Sequence, residues 1–165
     1  MLVKDYLVYR VISVEKATCL NVGGLLPIPN ENKLFDGSII KKETEDCFER
    51  IRASSFNHLI SRKSCLFVLP YNMEYVQRWL SDEHPHDDCN YALLTIKLDG
   101  ELIWCDQSKY TDAGVLARLR VEIATDYWRE AGDEYKSFEL PEGLFRGRAV
   151  LIKIDINNHI APAPL

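Results

Sequence analysis

The chain has 165 residues, 47% of them hydrophobic and 27% charged, and a formal net charge of −5. That length suits one domain with a proper core, and the acidic balance excludes broad nucleic-acid binding, which needs a basic face. No apolar run reaches the roughly 18 residues of a membrane-spanning helix. Lys4 and Asp5 interrupt what would be the apolar part of a signal peptide, so the chain reads as unexported. Cys19, Cys47, Cys65, Cys89 and Cys105 are scattered without a Cys-x-x-Cys pair, which points to a reducing cytoplasm rather than a disulfide framework.

Residues 6–14, YLVYRVISV, are predicted as the first strand, since β-branched and aromatic side chains suit a pleated, half-buried surface. Alternation places Leu7, Tyr9 and Val11 on one face and Tyr6, Val8, Arg10 and Ile12 on the other. A guanidinium beside Val8 and Ile12 is costly without an anionic partner. That partner is either an internal carboxylate such as Asp106 or Glu139, or a bound phosphate held in bidentate fashion. Residues 15–42 form a long turn-rich connection, and long loops in compact domains are often functional.

A helix is predicted over 44–59, with Thr44 as cap, Glu45 and Asp46 at its positive end, and Phe48, Ile51, Ser55 and Leu59 along one face. Next comes SRKSCLFVLP, residues 61–70, where a basic turn runs directly into a strand over Cys65–Leu69. Asn72 suits the cap of a short helix with Met73, Val76, Trp79 and Leu80 turned inward. The following polar loop carries His84, His86, Asp87, Asp88 and Cys89. Zinc requires three or four ligands converging in a tetrahedron, which neighbours on one loop rarely achieve, so a solvated acidic loop without metal is expected.

YALLTIKL and ELIWCD flank Asp99-Gly100, a pair that favours the positive φ angles of a two-residue hairpin. The longest helix is predicted over 113–131, with Leu116, Leu119, Ile123 and Tyr127 in one stripe and Gly132 at its end. Glu139 stands between Phe138 and Leu140 at the edge of an apolar patch, and spacing favours a partnered structural acid there. A last strand is predicted over 149–156, and residues 160–165 read as a frayed tail. Strands outnumber well-formed helices in this reading, so the class is α+β with a mixed or antiparallel sheet in a single domain over 1–165. Walker, G-x-G-x-x-G and G-x-S-x-G patterns do not occur.

The order VYRV, SRKSCLFVLP, YVQRWL, YALLTIKLDGELIWCD, DYW and FELPEGLFRGRAVLIKI resembles an uncharacterised bacterial domain family whose pattern is similar to the ADP-ribosyltransferase fold. The resemblance runs through most of the chain on short, degenerate motifs. It implies a split sheet and NAD as substrate, cleaved at its nicotinamide–ribose bond for transfer to an unknown acceptor macromolecule. Arg10 and Glu139 match the first and last catalytic elements. Ser61, Arg62 and Ser64 fall at the middle element, Arg10 and Arg62 hold phosphate or ribose oxygens, and Tyr71 and Tyr75 are candidates for covering the nicotinamide. Glu139 then stabilises an oxocarbenium-like transition state. The middle element lacks a Ser-Thr-Ser run, and Ser137 stands where acceptor-selecting relatives carry Gln or Glu, which leaves the acceptor open. The alternative implied by the same resemblance is a non-catalytic nucleotide-binding or protein-interaction module. The expectation is that Arg62 points into a cleft shared with Glu139.

Overall fold

The structure is a computed structural model that describes residues 1–29, 39–83 and 91–156. Among the described residues the elements are β1 (Leu2–Ser13), α1 (Val14–Ala17), α2 (Ile39–Ser55), β2 (Leu66–Pro70), α3 (Met73–Glu83), β3 (Tyr91–Asp106), α4 (Gln107–Val115), α5 (Arg120–Glu130) and β4 (Pro141–Ile156). Short 3-10 turns occupy Arg62–Ser64 and Ala117–Leu119. The class is α+β with a four-stranded antiparallel sheet, as expected, although the helices equal the strands in weight. Strand order is β1-β2-β4-β3, closed as a barrel, and β1 meets β2 antiparallel with Val8 opposite Pro70 and Tyr9 opposite Leu69.

The chain forms two compact units. The first comprises Met1 and the described residues of Ile28–Phe67 and Glu101–Arg146; the second comprises Leu2–Pro27 and the described residues of Val68–Gly100 and from Gly147 onward. In the first, Cys47, Phe48, Tyr127, Trp128 and Leu144 belong to one buried core. The Trp128 indole donates to the Phe48 carbonyl at 2.8 Å, and the Phe48 ring meets Tyr127 edge-on with centroids 5.0 Å apart. The second has its own core of Leu69, Val76, Leu80 and Leu93, against which Tyr9 and Trp79 pack.

Several expected boundaries move. Asp99-Gly100 is not a hairpin turn but an interior position of β3, one continuous strand. Gly100 has φ 153° and Gly147 in β4 has φ 149°, so both glycines supply a backbone conformation that side chains resist. Each sits where its strand passes from one unit to the other. The positive φ at Gly100 therefore belongs to a position inside a strand rather than to a chain reversal.

The long helix expected over 113–131 is two helices, α4 and α5, with the 3-10 turn between them. Asp106 caps α4 by accepting from the Ser108 N–H at 3.2 Å, well upstream of the expected start. Leu116 and Leu119 are exposed rather than part of an inward stripe. α2 begins at Ile39, so Thr44 lies inside the helix and donates to the Ile40 carbonyl at 2.8 Å. Asn72 accepts from the Glu74 N–H at 2.9 Å, as a cap should, while Met73 is exposed and Val76 and Leu80 are buried. The tail over 160–165 and the 84–89 loop lie outside the described residues.

Gly100→Val, which puts a β-branched side chain at φ 153°, is expected to lower unfolding free energy by about 1–3 kcal/mol in urea titrations. An unchanged midpoint would show that this strand position tolerates a side chain.

Candidate functional site

In the first unit the residues that the sequence singled out, SRKS and FELPEG, are joined through a buried cation. Ser61 caps the 3-10 turn: its hydroxyl accepts from the Lys63 N–H at 3.1 Å and donates to Glu49 of α2 at 2.9 Å. That turn carries Arg62 inward until it is 3% exposed. Its Nε donates to Glu45 Oε2 of α2 at 3.3 Å, and one terminal nitrogen contacts both the Tyr127 hydroxyl of α5, at 2.6 Å, and Glu142 at the start of β4. Aromatic rings pack against the guanidinium, with its carbon 4.2 Å from the Tyr110 centroid, 5.0 Å from Phe67 and 5.4 Å from Tyr127.

Glu142, 5% exposed, collects donors from three other elements. It accepts from Arg62, from the Tyr127 hydroxyl at 2.8 Å, and from Gln107. With its nitrogen turned toward Glu142, the Gln107 amide lies 2.8 Å from each carboxylate oxygen. Burial pushes the Glu142 carboxyl above its usual range, against the opposing pull of Arg62 and the Tyr127 hydroxyl. Burial works against the charged guanidinium of Arg62, but Glu142, Tyr127 and Glu45 overcome it and lift Arg62 well above its ordinary value. Burial also raises the Cys65 and Cys105 thiols beside this cluster, so both remain neutral core side chains.

Asp106, at the end of β3, holds the turn that carries Glu139. Its Oδ2 accepts from the Glu139 N–H and its Oδ1 from the Leu140 N–H, each at 3.1 Å. The Ser108 hydroxyl adds a bond to Oδ1 at 2.8 Å, and the Gln107 N–H donates to the Leu140 carbonyl at 2.8 Å. The Glu139 side chain stands at the surface.

Arg62 thus points neither into solvent nor into an open cleft with Glu139; it is enclosed, and the acids it meets are Glu45 and Glu142, the latter three residues beyond Glu139. Ser61 and Ser64 belong to the same turn, where the Ser64 N–H donates to the Ser61 carbonyl at 3.2 Å. Arg10, Tyr71 and Tyr75 belong to the second unit. Arg10 is half-buried on β1, and strand alternation sets it on the face of buried Val8, opposite Tyr9. Tyr71 is 51% exposed and stacks on Tyr9 with centroids 4.5 Å apart, while Tyr75 lies on α3 with the Arg78 guanidinium 5.8 Å from its ring.

Sequence reading missed Glu45, Glu142, Gln107, Tyr110 and Tyr127 as site residues. Glu45 has the signature of an ordinary first-turn acid, and Glu142 sits in Pro-Glu-Gly, which reads as a turn. Among the described residues no three His, Cys, Asp or Glu side chains gather as metal ligands, and no helix is long and apolar enough to cross a membrane.

These features define an α+β protein whose first unit is built around an arginine clasped by two carboxylates. The chain matches the family described as protein of unknown function (DUF2441) over residues 25–158, and it belongs to that family. No curated protein matches it.

Replacing Arg62 by Leu leaves Glu45 and Glu142 buried without their cation, and is expected to cost about 3–5 kcal/mol of stability in urea unfolding. A second expectation concerns pH. Because burial raises Glu142 in the folded state, its contribution to stability is fully present below the unfolded carboxylate value and is lost as pH rises through the folded one. The stability advantage of the wild type over Glu142→Gln should therefore be greatest in acid and shrink as pH rises above about 4. A difference that grows with pH would show that the clasp, not burial, governs Glu142.

Proposed function

We propose that this chain is an ADP-ribosyltransferase-like protein that takes NAD as its substrate and cleaves the nicotinamide–ribose bond. The observation that carries the reading is the union, in one unit, of the middle and last motifs of the resemblance. Arg62 of SRKS pairs with Glu142 of ELPEG, and the same segment presents Glu139 at the surface on a turn fixed by Asp106. In this reading Glu139 bonds a ribose hydroxyl and stabilises positive charge as the bond breaks. The bonding electrons leave with the nicotinamide nitrogen; water or an acceptor adds to the ribose carbon and gives up its proton. Arg62 does not serve as the phosphate cation in this reading, because Glu45 and Glu142 already neutralise it.

The enclosure of Arg62 favours a second reading, a nucleotide-binding or protein-interaction module without turnover. Two measurements separate the readings. Millimolar NAD should raise the melting temperature of either nucleotide binder by mass action. Only the transferase should consume NAD, and Glu139→Gln should then remove most turnover while keeping most of the NAD-induced shift. No shift with NAD, ADP-ribose or nicotinamide would sink both nucleotide readings and leave protein interaction alone.

A further inference from the structure

Resting on the reading of Glu139 given above, we propose that Asp106 is the positioning residue for that carboxylate. Asp106 is itself buried, and both of its oxygens are spent on backbone: Oδ2 on the Glu139 N–H, Oδ1 on the Leu140 N–H and on the cap of α4. Its neighbour Gln107 grips the same segment twice more, by its own N–H to the Leu140 carbonyl and by its side chain to Glu142. Residues 106–107 therefore hold 139, 140 and 142 from one side, and Glu142 is held from the other by Arg62 and Tyr127.

A surface carboxylate on an unbraced turn samples many positions, and displacement by an ångström at a reacting centre costs about a hundredfold in rate. Charge-assisted bonds from two successive amides are the strong kind and fix the direction in which the side chain leaves the turn. The brace also ties the Glu139 backbone to the end of β3 and the cap of α4. Asp106 does not touch substrate in this assignment; it acts through Glu139.

The test compares wild type, Asp106→Asn, Asp106→Glu and Glu139→Gln in the full chain. Asparagine keeps one acceptor oxygen but sets an amide nitrogen against a backbone N–H, so one of the two amide bonds must be lost. Two readouts are taken: amide exchange at Glu139 and Leu140, and steady-state NAD consumption. The expected result for Asp106→Asn is faster exchange at one or both amides with protection retained in the interior of α2. Its kcat should fall about tenfold to a hundredfold with KM within about twofold, because a displaced transition-state contact lowers rate rather than ground-state affinity. Glutamate at 106, with both oxygens but a longer reach, should restore part of the protection and of kcat. Unchanged exchange at both amides overturns the proposal, as does unchanged kcat in Asp106→Asn when Glu139→Gln has lost activity. If Glu139→Gln retains the wild-type rate, the role of Glu139 fails, and with it the positioning role, even where exchange shows the brace intact. Should Asp106→Asn not fold, Ser108→Ala, which removes the 2.8 Å hydroxyl bond to the same oxygen, gives the exchange readout at lower cost, and unchanged exchange there overturns the coupling of the cap to the turn.

Discussion

A guanidinium buried to 3% exposure has to be neutralised by whatever packs around it, and in the first unit that requirement recruits nearly every element. Glu45 comes from α2, Glu142 from β4, Tyr127 from α5, Tyr110 from α4 and Phe67 from β2. Each pays desolvation to be there, and buried ion pairs of this kind add less stability than their geometry suggests. Their physical consequence is different: once the cation is inside, removing either acid leaves an imbalance that water cannot reach. Packing of α2 against α5 and the start of β4 is thereby restricted to arrangements in which three charges and a tyrosine hydroxyl meet.

The same enclosure sorts the charged residues by what they are able to do. Arg62 is occupied on its polar edge by carboxylates and on its faces by rings, which enclose it. Glu142 is saturated in the same way by Arg62, Tyr127 and Gln107. Glu139 differs in that its N–H is held by Asp106 while its side chain is exposed.

What the amino-acid pattern revealed follows the range over which each signal acts. The cap at Asn72 and the α+β class depend on neighbours in sequence, and they were legible. Asp99-Gly100 was legible only in part: the pattern called for positive φ, which here falls inside a continuous strand rather than in a hairpin turn. The stripe of Leu116, Leu119, Ile123 and Tyr127 has helical spacing, yet the helix breaks between its second and third members, where Leu119 precedes α5 without a side-chain cap. The clasp was hidden for a stronger reason. Arg62 and Glu142 are separated by 80 residues, and neither shows locally that it will be buried.

The basic turn that opens β2 becomes intelligible from its pairing with α2. In a 3-10 turn successive side chains diverge by about 120°, so adjacent cations cannot share one destination. Arg62 goes inward to Glu45, whereas Lys63 goes outward to Asp46 at 3.1 Å, and Ser61 reaches Glu49 at 2.9 Å. Glu45 and Glu49 are one helical turn apart and lie on one side of α2, with Asp46 rotated toward solvent by a single residue step. Three consecutive residues of the turn thus match three acids of the helix. A slip of one residue in the turn would bring either Lys63 or Ser61 to the buried acids in place of Arg62. The compact ammonium of lysine is more strongly hydrated than guanidinium and has no fork to divide between Glu45 and Glu142. The order Ser-Arg-Lys, rather than its net charge, is what sets α2 against the start of β2.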